Sequence, residues 1–237
     1  MGHPLKAACQ GQKLSLCEIE MKSVNRLLHA LFIASCLFLA LPTTPCGAME
    51  KELAKQVLAE INLARKNPRG YAEHLRTFRR QFHGSSYQLP GKRIMVGTSE
   101  GVKGVDEAIR FLSRQKPLPP LIWSEGLSLA AAELAQEEGE SGAVGHQGRS
   151  SGGPKERIER NGAWQGSIGE NIFYGPGDAR QVVMNLIIDD GVPDRGHRKN
   201  IYTRAFRRAG VGCGPHPGFE TVCVIDFAGG FREQREK

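Results

Sequence analysis

From Lys51 to Arg65 apolar side chains recur at helical spacing: Leu53, Val57, Ile61 and Ala64 share one face, while Glu52 and Lys55 stay polar. The pattern predicts a helix that Asn67-Pro68 ends, then a second short helix with Pro68 in its first turn, continuing through Tyr71 and Leu75. Between Gln81 and Gly104 the helical period is lost and turn residues accumulate, with Arg93–Val96 as a candidate edge strand. The period returns over Val105–Arg114, where Val105, Ala108, Ile109 and Leu112 face inward. Pro117-Leu118-Pro119-Pro120 is extended, because each proline steers its predecessor away from helix. Ser124 then caps a helix whose Leu127, Ala130, Ala131, Leu134 and Ala135 form a narrow, Ala-rich face suited to close packing. Pro154 opens a helix over Lys155–Arg160, and Ala179–Ile188 reads as an apolar helix. Ala209–Cys213 and Thr221–Phe227 read as neighbouring strands, joined through Gly214-Pro215-His216-Pro217-Gly218, with Gly229-Gly230 ending the domain.

Upstream of these elements the pattern changes kind. Lys22 and Arg26 precede an apolar run from Leu27 to Leu41, interrupted by His29 and Ser35, and Pro42 and Cys46-Gly47-Ala48 follow. That order is the pattern of a signal peptide, with small residues placed for cleavage after Ala48. The run of 15 residues is short of the roughly 20 that span a bilayer, and an uncleaved anchor is the alternative. The run lies far from Met1, so Met21 is a second candidate start, with residues 1–20 as an upstream extension. Thr43 and Pro45 stand where lipid attachment at Cys46 would need small or apolar residues. Residues 49–237 are then expected to form a single domain.

Composition sharpens this picture in two places. At 237 residues and 40% hydrophobic, the chain can bury a proper core. Its net charge of +7 includes four basic and two acidic residues from the first 48. The remaining basic residues are spread out, and Arg79-Arg80 and Arg207-Arg208 lack the interleaved aromatics of a single-strand binder, so no nucleic-acid partner is expected. Four of the six cysteines precede residue 47, which leaves Cys213 and Cys223. In an exported protein that pair on adjoining strands suggests a disulfide across a hairpin, with two buried thiols as the alternative.

Candidate chemistry gathers at Ile188–Ile201, I-D-D-G-V-P-D-R-G-H-R-K-N-I, where Gly191-Val192-Pro193 and Gly196 keep any helix from running through. Polar side chains therefore collect at a helix end, and G-H-Q-G at His146 and G-E-N-I at Glu170 are the stretches expected to meet them. Taken alone, a loop histidine such as His146 is more often exposed than a ligand, and a glutamate beside glycine often serves its own loop. Gly148-Arg149-Ser150-Ser151-Gly152 matches G-x-S-x-G but lacks the strand before it and the helix packed behind it, so Ser150 and Ser151 read as turn residues. The aspartates lack the ligand spacing of a calcium loop; Asp194 is expected to pair with Arg195 or Arg198, and one of Asp189 and Asp190 to end the helix. Asn200 is expected to turn its amide to backbone. His216 is a third candidate ligand, although a proline-flanked hairpin tip points to solvent exposure. Asp226 on a central strand needs a partner, for which a structural hydrogen bond to a loop amide is expected.

Together these stretches carry a resemblance. Ala59-Glu60-Ile61-Asn62-Leu63-Ala64-Arg65, Leu121-Ile122-Trp123 with its Ala-rich helix, Gly145-His146, Gly169-Glu170-Asn171-Ile172 and Gly196-His197-Arg198-Lys199-Asn200-Ile201 follow one another in the order of the CAP superfamily. That superfamily comprises the cysteine-rich secretory, antigen 5 and pathogenesis-related 1 proteins and their microbial relatives. The chain resembles it over nearly all of Glu50 to Phe231, chiefly because G-E-N-I and G-H-R-x-N-I occur together. The resemblance implies an α+β fold, a three-layer α-β-α sandwich with a mostly antiparallel central sheet, in a secreted or periplasmic protein. Against the minimal domain, 66–103 is expected to be an insertion.

Members of the superfamily commonly present two histidines and two acidic residues in a central cleft, and several bind a divalent metal through the histidines. Carried over by motif, His146 and His197 match the histidines and Glu170 the first acid. The second acid departs from the pattern: the frame that places a glutamate three residues after a helix tryptophan gives Leu186 and Asp189 here. Asp189 takes that position, with Asp190 as the fallback. Two imidazoles with carboxylate or water can complete a zinc site, and Glu170 could then act as general base toward bound water. No H-E-x-x-H places ligands on one helix, so the set is expected to come from three separate loops. The structural alternative is a hydrogen-bonded network that merely holds those loops.

The expected function is a secreted binding module that takes zinc or another divalent metal, a small peptide, a lipid or an envelope ligand without turnover. The alternative is a metal-assisted hydrolase acting on peptide or cell-envelope material, with Glu170 and Asp189 as its acid-base residues. A third class, a disulfide-stabilised surface protein, would be indifferent to loss of the cleft histidines. Membrane contact is expected only through the signal segment, if it stays uncleaved.

Overall fold

The computed structural model describes residues 46–89 and 95–234, so the expected signal segment lies outside the described residues except for its last three, and Arg93 and Ile94 lie outside them too. Helix α1 spans Cys46–Lys66 and buries Val57, Ile61 and Ala64 on the face its spacing predicts. Two polar residues of that helix do the tying. The Asn62 amide donates to the Leu121 carbonyl and accepts from the Leu121 amide. Arg65, fully buried, donates to the carbonyls of Pro119, Ile201 and Thr203. Burial lowers the Arg65 pKa to about 10. The extended proline segment is thereby pinned to α1, and its own missing amides cost nothing there.

Asn67 closes α1 and caps α2 (Pro68–Arg79), its side chain accepting from the Gly70 amide. Strands β1 (Phe82–His83), β2 (Ser86–Gln88) and β3 (Met95–Gly97) form a small antiparallel sheet in that order. The part of the candidate edge strand that lies within the described residues falls in β3, at the edge of this sheet. Helix α3 (Val102–Arg114) buries Val105, Ala108 and Leu112, and Ile109 is half-buried.

The remaining elements build the centre: β4 (Ile122–Trp123), α4 (Glu125–Ser141), α5 (Pro154–Asn161), β5 (Gly162–Tyr174), α6 (Ala179–Ile188), α7 (Gly196–Tyr202), β6 (Arg208–His216) and β7 (Glu220–Glu233). The sheet runs β4-β6-β7-β5, with β4 parallel to β6 and the other pairs antiparallel. Alternation along β7 splits the core into two layers. Cys223, Ile225 and Phe227 face α1, α2, α3, α6 and α7 with Ala209 and Val211 of β6. Val222, Val224 and Ala228 face the other way, toward α4 and α5. This is an α+β fold with helices on both faces of a mostly antiparallel sheet, as in the CAP α-β-α sandwich.

Helix α4 lies unusually close to β6. A Cβ on Gly210 or Gly212 would land on the α4 backbone at Leu127-Ser128 and Ala131-Ala132, which is what the Ala-rich face of α4 permits. Cys213 and Cys223 stand directly opposite one another on β6 and β7 and are disulfide-bonded.

Three expectations are corrected. The glycine-rich stretch around Glu170 is a 13-residue strand rather than a loop; its register against β7 slips between Gln165 and Ile168, where Gly166 takes a left-handed φ of +79°. Strand β7 runs through Gly229-Gly230 instead of stopping there, because β5 pairs with it as far as Gly162. Pairing of β6 with β7 likewise continues to His216, and that residue is buried, not exposed. Its Nε2 lies 3.0 Å from the Ala143 carbonyl oxygen, and its Nδ1 accepts from the Gly218 amide. Among the described residues no helix is long and apolar enough to cross a membrane.

Candidate functional site

His146 stands on the loop after α4, and its Nδ1 lies 2.7 Å from Oε1 of Glu170 on β5. The imidazole is 54% exposed and the carboxylate 3%, so the pair reaches from solvent into the interior. Behind Glu170 lies Arg157 of α5, fully buried, whose Nη2 donates to Glu170 Oε2 at 2.5 Å. The guanidinium also donates to the carbonyls of His146 and Gly152, holding the loop to the strand. A second tether acts one residue away: the Gly145 amide donates to the Tyr174 hydroxyl, which donates to buried Glu138. The hydrogen bond to Glu170 raises the His146 pKa above its ordinary value, against the opposing effect of burial. Burial pushes the Glu138 carboxyl up as well.

His197 is on α7, one residue into the helix, and its Nδ1 lies 2.7 Å from Oδ1 of Asp189. Asp189 ends α6 with a left-handed backbone, φ 58° and ψ 48°. Its other oxygen accepts the amides of His197 (2.9 Å) and Arg198 (3.3 Å), donors that the first turn of a helix leaves without partners. Two arginines buttress the connection. Arg195, itself at φ 55°, donates to the Asp189 carbonyl and forks onto Glu100. Arg198 donates to the carbonyls of Ile187 and Ile188, forks onto Glu107 and lies over the Phe111 ring. Arg195 and the Gly191 amide hold the Glu100 carboxyl down to about 2, and Arg198 keeps Glu107 below the usual range.

The halves are joined by amides. Asn171, fully buried on β5, donates to the His197 carbonyl and accepts from Asn200 of α7, which also donates to the Glu170 carbonyl. Gly169 makes room for this: a Cβ there would come within 2.9 Å of Phe206 and 3.2 Å of the Asn200 oxygen. The site thus rests on a loop, a strand and a helix, not on three loops.

Asp189 meets an imidazole and Asp190 does not; Asp190 accepts the amides of Ser99 and Glu100 and so anchors the approach to α3. The expected pairing of Asp194 with Arg195 or Arg198 is not found, because both guanidiniums are taken by Glu100 and Glu107 and Asp194 lies 4.0 Å from Lys199. Ser150 and Ser151 are turn residues gathered around Glu137, whose carboxyl their hydrogen bonds lower to about 2. The partner expected for Asp226 is missing: both of its oxygens are buried without a hydrogen bond. Arg157, Tyr174 and the Glu100 and Glu107 carboxylates were not expected at the site, and Arg198 was expected there only as a partner for Asp194. In sequence each reads as an ordinary surface or helix residue.

As a metal centre the site fits in part. Both histidines turn Nδ1 to a carboxylate, the arrangement that orients metal-ligating imidazoles, and neither Nε2 has a protein partner among the described residues. No three His, Cys, Asp or Glu side chains among those residues are grouped to hold an ion. An ion here would take two imidazoles at most, with water or ligand completing its shell. A shallow cavity of about 200 Å³ lies elsewhere, between α1 and α4 over β6, lined by Trp123, Leu129, Ala132 and Val211 among others. None of the four paired residues lines it, and the chemistry argues for the histidine site over this cavity.

The sequence model of the CAP, or cysteine-rich secretory protein, family matches residues 58–227. Two solved structures are similar. One is an extracellular protein containing an SCP domain from Bacillus anthracis, at 19% identity over 54% of this chain and 38% of that one, with a TM-score of 0.39. The match therefore spans well under half the length of that protein. The other is an outer surface protein of Borrelia burgdorferi, at 18% identity over 49% of this chain and 80% of that one, with a TM-score of 0.40. No curated protein matches the sequence.

Proposed function

We propose, for a chain that belongs to the CAP family of cysteine-rich secretory proteins, an extracytoplasmic binding module that presents two carboxylate-oriented imidazoles to a divalent metal ion, without turnover. One observation carries this reading: His146 and His197 each hold Nδ1 at 2.7 Å from a carboxylate that is itself almost fully buried, which leaves Nε2 as the outward donor. Zinc suits two neutral imidazoles, and its remaining positions would take water or a donor group of a small peptide, lipid or envelope ligand. The ion would supply Lewis acidity there; Glu170 and Asp189 fix the ring orientation and make the imidazoles better donors. The Cys213–Cys223 disulfide fits a secreted or periplasmic setting, since cytosolic thiols are kept reduced.

The second reading, a metal-assisted hydrolase of peptide or cell-envelope material, has the accessible and basic His146 in its favour. Against it, both Glu170 oxygens are already engaged, by His146 and Arg157, and the Ser150 hydroxyl donates to Glu137 rather than facing an imidazole. The test is a calorimetric zinc titration with elemental analysis of the purified full chain, beside a His146→Ala, His197→Ala double variant. Stoichiometric binding that the double variant loses is the expected result, and it would make hydrolase assays worthwhile. A folded native protein that binds no zinc would leave the cleft as a polar scaffold or an organic-ligand pocket.

A further inference from the structure

Asp226 is fully buried in the middle of β7, opposite Glu170 of β5 on one side and Gly210 of β6 on the other. It points to the face shared with Val224 and Ala228, under α4 and α5. Gly210 offers no side chain, and α4 sits directly against it. The charged groups that reach Asp226 are Glu170 from β5, Arg157 from α5 and Glu133 from α4. Glu133 is turned to Arg160 and Asn161. Arg157 commits Nη2 to Glu170 and Nη1 to two backbone carbonyls, and gives nothing to Asp226.

One buried guanidinium can balance one buried carboxylate. A second carboxylate in the same interior, with neither donor nor cation of its own, is relieved by keeping its proton. We propose that Asp226 is an un-ionised carboxylic acid in the native protein at neutral pH, a buried acid kept neutral beside the Arg157–Glu170 ion pair. Burial first, and the adjacent Glu170 second, push the Asp226 carboxyl well above its usual range. The consequence falls on the site. With Asp226 neutral, the Arg157 guanidinium is left to Glu170 alone; an ionised Asp226 would compete for the same cation. This holds whatever the cleft binds.

Infrared spectra of the full chain, with and without carbon-13 in the aspartate carboxyls, test it directly. An un-ionised acid band should be present at neutral pH, shift with the label and vanish in Asp226→Asn. The label separates it from Glu138, whose carboxyl burial also raises. The His146 titration, followed by NMR, should be the same in Asp226→Asn as in the native protein, because an amide replaces a neutral acid. Stability supplies a third readout. A carboxyl raised in the folded state stabilises fully below about pH 4 and loses that contribution as the pH climbs toward its folded pKa. The native protein should therefore lose stability relative to Asp226→Asn between acid and neutral pH. No label-sensitive acid band in the folded native protein would overturn the proposal, even if the variant failed to fold. So would a band that survives in Asp226→Asn, a lowered His146 pKa in that variant, or parallel stability curves.

Discussion

His146 meets Glu170 and His197 meets Asp189 through the same ring nitrogen at the same 2.7 Å, yet the two carboxylates are held by different means. Glu170 is a charge on a strand, and a fully buried guanidinium neutralises it. Asp189 is a helix end, and backbone amides of the next helix satisfy it. The bases differ in the opposite sense: His146 is the more exposed, on a loop hung from Tyr174 and Arg157, while His197 is built into α7. Equal geometry at the surface thus conceals unequal energetic foundations, and the same substitution should not have the same effect in both halves.

The largest contrast is expected at the acids. Glu170→Ala removes the carboxylate to which buried Arg157 donates, at a cost of about 3–5 kcal/mol, measured as a shift in the urea unfolding curve. Asp189→Ala leaves two helix-end amides without their acceptor and an alanine in a left-handed conformation, for about 1–3 kcal/mol. Asp189→Asn should cost less, since asparagine tolerates that backbone and keeps an acceptor oxygen. Equal losses for Glu170→Ala and Asp189→Ala would break the comparison. Gly169→Ala sits between the halves and should cost about 1 kcal/mol as Phe206 and Asn200 give way; a matching chemical-shift change at both imidazoles would show that the amide bridge couples them.

The smallest effect is a titration. The raised His146 pKa means that protonated His146 stabilises the fold fully below its unfolded value, and that the contribution is lost as pH rises through the folded value. Native protein should lose a little stability relative to His146→Ala across that window. In Glu170→Gln the His146 pKa should fall toward the ordinary histidine value, as read by NMR. A titration indifferent to Glu170 would remove the electrostatic half of the comparison.

Helices and the order of motifs were legible because apolar spacing reports them directly: α1, α3 and α4 bury most of the residues their periods select, with Leu53 and Ile109 half-buried. Strand β5 was not, since Gly162, Gly166 and Gly169 mask its alternation, and its length is dictated by pairing with β7. His216 misled because local prolines suggest an exposed tip, whereas the ladder extends to it and Ala143 covers it. At the site the paired residues were nameable from motifs. Their supports were not: a buried arginine such as Arg157 has no local signature, because what makes it buried is a carboxylate 13 residues away on another element. The pairing of Asp194 failed for the same reason, with Glu100 and Glu107 claiming the neighbouring arginines from about 90 residues upstream.

Cys213 and Cys223 are 10 residues apart in sequence and occupy partnered positions of one hairpin. A cross-link gains most when it closes a long loop, and this one closes a short loop that the β6–β7 ladder already shuts. Once β6 and β7 pair, the two thiols face each other, so an oxidant would act on a pair already in place. Correct pairing is then a matter of timing rather than of search, and a chain made in a reducing compartment should reach the same architecture with its latch left open.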